Sequence, residues 1–250
     1  MINEDGYFDE REAAKYDDPS SPVEQVEVIE STVDFLAELA GDGRALELAV
    51  GTGRIALPLA RRGVPVHGIE LSRAMVARLR AKPGGQEIGV TIGDMTTTTV
   101  DTGADGAFSL SYLVYNTIMN LTTQEAQVAC FRNAAEHLAP GGFFVIEVMI
   151  PELRKLPAGQ RIVPFDTSPT RWAYTDYDVT TQAARCHYIN VVDGRGEHSE
   201  VPFRYVWPAE LDLMAQLAGL RPHGRWEDWT RKPFAQDSAQ HVSVWQKPIG

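Results

Sequence analysis

Glu47 and Glu70 are the carboxylates whose settings in this 250-residue sequence point to chemistry. Glu47 interrupts the apolar run from Ala45 to Val50, where an unpaired charge is expensive, so it needs a cationic or hydrogen-bonding partner. Glu70 follows the apolar, β-branched run Val64 to Ile69, and in a parallel sheet that end of a strand faces the ligand crevice. Between the two acids lies Gly51-Thr52-Gly53, where missing Cβ atoms let the backbone turn sharply and approach a ligand. The spacing serves two ligand classes, because Gly51-x-Gly53-x-x-Ala56 with an acid about 20 residues on also fits the fingerprint of NAD(P)-binding oxidoreductases.

These residues need a strand, a turn, a helix and a second strand to position them. Arg54 to Arg62 suits a short helix with Pro58 in its first turn, where the missing N–H costs little, and Gly63 ends it. Ser72 is placed to cap a helix running to Lys82, stopped by Pro83-Gly84-Gly85. A third strand, Ile88 to Ile92, leads into Gly93-Asp94-Met95; alone, that aspartate reads equally well as a turn residue. Ala107 to Tyr112 forms a fourth strand. A helix capped by Thr122-x-x-Glu125 follows and runs to about Leu138, carrying His137 away from the crevice as a surface or hinge residue. Ala139-Pro140-Gly141-Gly142 is a break and tight turn before a fifth strand, Phe143 to Ile150.

ELAVGTGRIA followed by GIELSRAM, then Gly93-Asp94-Met95 and Ala139 to Gly142 in the same order, resembles the class I S-adenosylmethionine-dependent methyltransferases over residues 45 to 150. The family usually has Gly where this chain has Ala49, which narrows the room beside the methionine end of the cofactor. The resemblance implies an α/β fold, a Rossmann-like seven-stranded sheet with helices on both faces. It also implies S-adenosyl-L-methionine as cofactor. Glu70 then accepts hydrogen bonds from the ribose hydroxyls, and Glu47 meets loop N–H groups or the cofactor's ammonium. Asp94 and Met95 lie at the adenine. Tyr16, Ala49, Gly51, Gly53, Arg54, Leu71 and Ser111 complete the cofactor set. Tyr112, Asn116, Tyr205 and Trp207 are expected on the acceptor side, with Tyr115 and His187 as catalytic candidates.

Residues 1 to 21 are polar, carry Tyr7, Phe8 and Tyr16, and end in Asp17-Asp18-Pro19-Ser20-Ser21-Pro22, which breaks helices; they read as a lid-like arm. An amphipathic helix follows from Pro22 to Ala40. From Pro151 to Trp207 the pattern changes to period two with aromatics, so 151–207 is expected to be an inserted antiparallel β subdomain for the acceptor, within a cofactor domain made of 1–150 and 208–250. Asp193-Gly194-Arg195-Gly196 is a hairpin turn there. Alternation sets His187 opposite Cys186 and Tyr188, so one face is roof and the other solvent. The tail adds a helix, Ala209 to Ala218 with Pro208 at its start, and two strands, Leu220 to Trp226 and His241 to Trp245.

A formal net charge of −11 repels phosphate backbones and argues against nucleic acid. The two cysteines, Cys130 and Cys186, lack zinc-site spacing; no metal is expected, and reduced thiols suit the cytoplasm. The acidic start lacks a signal-peptide core and no run approaches the roughly 18 apolar residues of a membrane span. The expectation is an enzyme, monomer or homodimer, that methylates a nitrogen or oxygen of a small molecule such as a sugar or other secondary metabolite. A cofactor-binding regulator or scaffold without turnover is the other class.

Overall fold

The computed structural model describes residues 7–17, 25–101, 107–192 and 194–249. A seven-stranded sheet is ordered β10-β11-β5-β4-β1-β2-β3, with β1 Ala45–Leu48, β2 Val66–Glu70, β3 Gly89–Ile92, β4 Phe108–Leu113, β5 Leu138–Met149, β10 Arg221–Trp226 and β11 Gln240–Gln246. The first five run parallel, and β11 is antiparallel to both β5 and β10. All four residues of β1 are buried, as a strand covered on both faces requires.

Helices cover both faces. On one, α2 (Val26–Ala40) and α3 (Ala56–Arg61) pack Val33, Leu36, Ile55 and Leu59 against Tyr112 and Val145. On the other, α5 (Gln124–His137) and α6 (Pro208–Leu217) set Phe131 and Met214 among Phe144, Ile146 and Trp245. The helix α4 (Arg73–Ala81) begins at Ser72, whose Oγ accepts from Met75 N–H at 3.1 Å. No helix among the described residues is long and apolar enough to cross a membrane.

Several boundaries differ from expectation for identifiable reasons. Helix α5 is capped one residue later, by Thr123, whose hydroxyl accepts from Ala126 N–H at 3.1 Å. Residues 138–142 are strand rather than turn, because Gly141 N–H donates to Lys247 O and Lys247 N–H to Gly142 O, extending the pairing past the end of β11. His137 is buried, not at the surface: Val100 N–H donates to its Nε2 at 2.8 Å, and its Nδ1 lies 2.7 Å from Asn133 O. The arm holds a short helix, α1 (Glu10–Ala13), capped by Asp9. The expected helix break beyond Asp17, the start of α2 at Pro22 and the hairpin residue Asp193 lie outside the described residues.

A separate four-stranded antiparallel sheet follows β5 in the order β6-β7-β8-β9: Ile162–Ser168, Arg171–Tyr177, Ala183–Val192 and Arg195–Arg204. Strand β6 was not expected, because Pro164 and its polar residues suit only an edge position beside a bulge, which is where it lies. Val163, Ala173, Thr175, Tyr177, Ala184 and Val201 are buried on the inner face. A charged joint fastens this sheet to the main body. Arg204, just past the inner face, donates to Gln127 on α5, Gln182 before β8 and Glu210 on α6, and Gln124 also donates to Glu210. Burial alone raises the Glu210 pKa, but these hydrogen bonds outweigh it and hold the carboxyl below its ordinary value.

Candidate active site

Glu70 sits where the turn after β1 meets the turn after β2. Gly51 N–H donates to its Oε2 at 2.8 Å and Ser72 N–H to its Oε1 at 2.9 Å. A carboxylate offers about four lone-pair sites, so each fixed oxygen keeps acceptor capacity for a diol such as a ribose. The sequence places the acid correctly but shows nothing of its second task, holding the two loops in register.

Glu47 is 3% exposed and accepts from the Tyr112 hydroxyl at 2.9 Å. Burial pushes its carboxyl up to about 8, against the lowering effects of that hydroxyl, the Arg54 charge and the Ala56 N–H. The backbone N–H beside Glu47 is thus that of Ala56 at the start of α3, where a loop N–H was expected. Tyr112 is corrected from an acceptor-side residue to the support beneath Glu47, since it is fully buried. Ser111, expected at the cofactor, is likewise fully buried in the middle of β4, and its Oγ has no hydrogen-bond partner among the described residues.

The turn itself is strained where the family's glycine is missing: Ala49 has φ +58°. A left-handed conformation costs a residue with a Cβ roughly 1–2 kcal/mol. Gly51 also has positive φ, whereas Gly53 is needed for packing as well, because a Cβ there would lie 2.2 Å from Leu79 Cδ1. Asp94 is exposed and its Oδ1 accepts from Thr96 N–H and Thr96 Oγ, each at 2.7 Å, so the turn role is real and Oδ2 is the oxygen that remains for an adenine. Met95 is buried in the main core and Leu71 is 44% exposed beside Glu70.

The N-terminal arm crosses this region. Ser72 Oγ donates to Phe8 O, Thr52 Oγ donates to Asp17, and Lys82 pairs with Asp17 at 2.9 Å. Phe8 meets Tyr16 edge-on at 5.7 Å. Burial pushes the Tyr16 hydroxyl up to about 12; the Arg54 charge partly opposes the rise, and Tyr115, Glu70 and Glu47 add to it.

At the end of β4, Tyr115 and Asn116 have φ of +55° and +61°. Tyr115 N–H donates to the Glu147 carboxylate at 2.9 Å, Asn116 N–H to Glu147 O at 3.1 Å, and Met149 N–H to Asn116 Oδ1 at 2.7 Å. Asn116 is thereby committed to holding its own loop. Trp229 Nε1–H completes the Glu147 set at 3.0 Å, and the Arg54 guanidinium lies 5.1 Å from the Tyr115 ring. Backbone strain this heavily braced is characteristic of functional loops. Glu147 went unnoticed in the sequence, although it shows the same signal as Glu47, an acid inside an apolar strand.

On the inserted sheet, Tyr188 shares the inner face with Ala173 and Ala184; burial pushes its hydroxyl up to about 12, Cys186, Tyr7 and Tyr115 add to the rise, and the Arg171 charge opposes it. His187 points the other way. Strand alternation puts it on the outer face with exposed Trp172, Arg185, His198 and Glu200, so the structure removes it from the catalytic set. Tyr205 is 2% exposed and packs edge-on against Tyr177 at 5.6 Å, which makes it core rather than pocket lining; Trp207 is partly exposed at the start of α6.

A family profile described as "Methyltransferase domain" matches residues 45–142. The chain is 33% identical to the CcbJ methyltransferase from Streptomyces caelestis, covering 94% of this chain and 96% of that one, with a TM-score of 0.80. It is 26% identical over 210 residues to a cypemycin N-terminal methyltransferase from Streptomyces sp, covering 82% and 84% of the two chains. The fold also matches S-adenosylmethionine-bound CalS10, an amino pentose methyltransferase from Micromonospora echinaspora, at 20% identity over 98% of this chain and 99% of that one, with a TM-score of 0.68.

Proposed function

Because the chain belongs to the S-adenosylmethionine-dependent methyltransferases, we propose that it methylates an amine nitrogen of a small secondary metabolite, an amino sugar or a similar amine. The residues described fit the cofactor: Glu70 for the ribose diol, Glu47 for the ammonium, and Asp94 Oδ2 for the adenine amino group, with Gly51 and Tyr16 alongside. When bound, the cofactor supplies an electrophilic methyl group. The chain's task is to orient the acceptor in line with that methyl and to exclude water, which is where most of the rate comes from.

The observation that carries the choice of nitrogen is the place of the one histidine expected there: His187 lies on the outer face of the inserted sheet, and the phenols Tyr16 and Tyr188, like any phenol, hold their protons at neutral pH and are poor bases. A hydroxyl acceptor wants a base at the moment of transfer, whereas an amine needs only to have shed its ammonium proton beforehand. The acceptor then lies under β8, between Tyr188, Tyr115 and the arm, with residues 151–207 acting as its roof. Two relatives are named for N-terminal methylation and for an amino pentose, names in keeping with an amine.

The test is transfer of a labelled methyl group to matched pairs of small molecules that differ only in bearing an amine or a hydroxyl at one position. Label on nitrogen in the amine members, located by tandem mass spectrometry, is the expected result. Label on oxygen, with the amine members inert, overturns the proposal.

A further inference from the structure

The outer face of the inserted sheet gathers nitrogen and oxygen ligands that the methyl-transfer site does not use. His187 on β8 is directly opposite Glu200 on β9, and His198 lies two residues back along β9 on the same face. His187 Nδ1 is 3.1 Å from His198 Nε2 and 3.7 Å from Glu200 Oε2, and one ligand atom from each residue falls within 4.8 Å of the others. These separations bracket the spacing of about 3.3 Å that a tetrahedral ion with metal–nitrogen bonds near 2.0–2.1 Å imposes on its ligands.

The ligands are also held. The Tyr174 ring stacks on His187 at 4.7 Å and 21°, and the two imidazoles are within 15° of parallel. Arg185 donates to Glu200 Oε1 at 2.9 Å, which turns Oε2 toward the histidines. A neutral imidazole presents a lone pair on one ring nitrogen and a proton on the other, so the tautomers that turn both lone pairs inward make the two facing nitrogens ligands.

From this geometry we propose that His187, His198 and Glu200 form a zinc site on the outer face of the inserted sheet. Two imidazoles and one carboxylate suit zinc among the divalent ions, with water in the remaining position. The ion bridges β8 and β9 directly behind Tyr188, whose side chain leaves β8 from the opposite face. Its role is to fix the strand pair that carries the acceptor roof, and it takes no part in methyl transfer. Sequence spacing conceals the site, because His187 and His198 meet only across the hairpin.

The test is calorimetric titration of untagged, chelator-treated full-length protein with zinc, repeated with cobalt for its visible spectrum. One equivalent is expected, with a rise in melting temperature and a cobalt spectrum of nitrogen and oxygen ligands in tetrahedral array. His198→Ala and Glu200→Gln should each weaken binding by about tenfold or more, as loss of metal-site residues does, while S-adenosylhomocysteine affinity stays at the wild-type value. Glu200→Gln preserves side-chain shape and so reports on the site even where His198→Ala proves unstable. Substoichiometric binding, unchanged affinity in both variants, or a cobalt–thiolate band assigning the ion to Cys186 overturns the proposal.

Discussion

The Glu147 carboxylate accepts the main-chain N–H of Tyr115 at 2.9 Å, and Tyr115 is the first of two consecutive non-glycine residues in the left-handed region. The brace and the strain belong together, since each left-handed residue costs roughly 1–2 kcal/mol that the contacts must offset. In Glu147→Gln the amide nitrogen must face either Tyr115 N–H or Trp229 N–H, donor against donor. The expected result is about 1–3 kcal/mol of lost stability, and about a tenfold fall in kcat/KM for the acceptor with cofactor affinity retained. Equilibrium denaturation and steady-state kinetics on the same preparation check it.

Glu47 gives the enzyme a pH signature. Its folded pKa, about 8, lies above the ordinary 4.5, so the folded protein binds this proton more tightly than the unfolded chain. The contribution of Glu47 to stability without cofactor should therefore fall as pH climbs from 4.5 to about 8 and level off above, while buried His241, pushed down to about 3, gives the opposite slope below about pH 6.5. An ammonium placed beside Glu47 favours the carboxylate, so binding should release a proton and tighten as pH rises toward 8. Calorimetry in buffers of different ionisation enthalpy reads the release directly. Glu47→Gln should abolish the proton release, and the difference in stability between wild type and variant reads the Glu47 slope alone.

Two substitutions separate holding the cofactor from filling the core. Glu70→Ala removes the acid fixed by Gly51 and Ser72, and cofactor binding should weaken by roughly 2–4 kcal/mol, a factor of tens to hundreds. Ser111→Ala removes a buried hydroxyl without a partner, so stability should hold or rise by about 1 kcal/mol with the dissociation constant unchanged. Weakened binding in Ser111→Ala would return that residue to the cofactor set.

Ala49 supplies a graded test of the turn. Ala49→Gly removes the Cβ from a φ +58° position, and its relief of strain roughly cancels the added freedom of the unfolded chain, so stability should stay within about 1 kcal/mol of wild type. Ala49→Val puts a β-branched side chain in the same conformation and should cost about 2 kcal/mol or more, with cofactor affinity falling in parallel. Thermal melts with and without S-adenosylhomocysteine measure both effects.

The centre of the sheet was legible because β1, β2 and β5 carry apolar runs punctuated by glycine, and because two acids break that pattern at places where only a ligand or a deep partner satisfies them. The reading stopped where side-chain direction mattered. Ser111 and Tyr112 lie within β4 on opposite faces, yet both face packed interior. His187 and Tyr188 are neighbours in sequence, and the choice of which one looks into the crevice depends on how the four-stranded sheet sits on the main body, which no local pattern encodes. Leu138 to Gly142 misled for a related reason: a proline and two glycines signal a turn locally, but pairing with Lys247, far along the chain, draws them into a strand.

The joint at Arg204 limits how freely substrate range can be exchanged among related enzymes. Its guanidinium is 5% exposed, and its acceptors Gln127 and Glu210 sit on helices that precede and follow the four-stranded sheet in the chain. A chimaera that grafts residues 151–207 onto a relative lacking those partners buries a cation without its counter-charge, at a cost of about 3–5 kcal/mol. Transplantation therefore has to move a polar constellation drawn from three separate stretches of sequence. The four-stranded sheet and the two helices that flank it in sequence therefore travel as one unit, larger than the inserted segment itself.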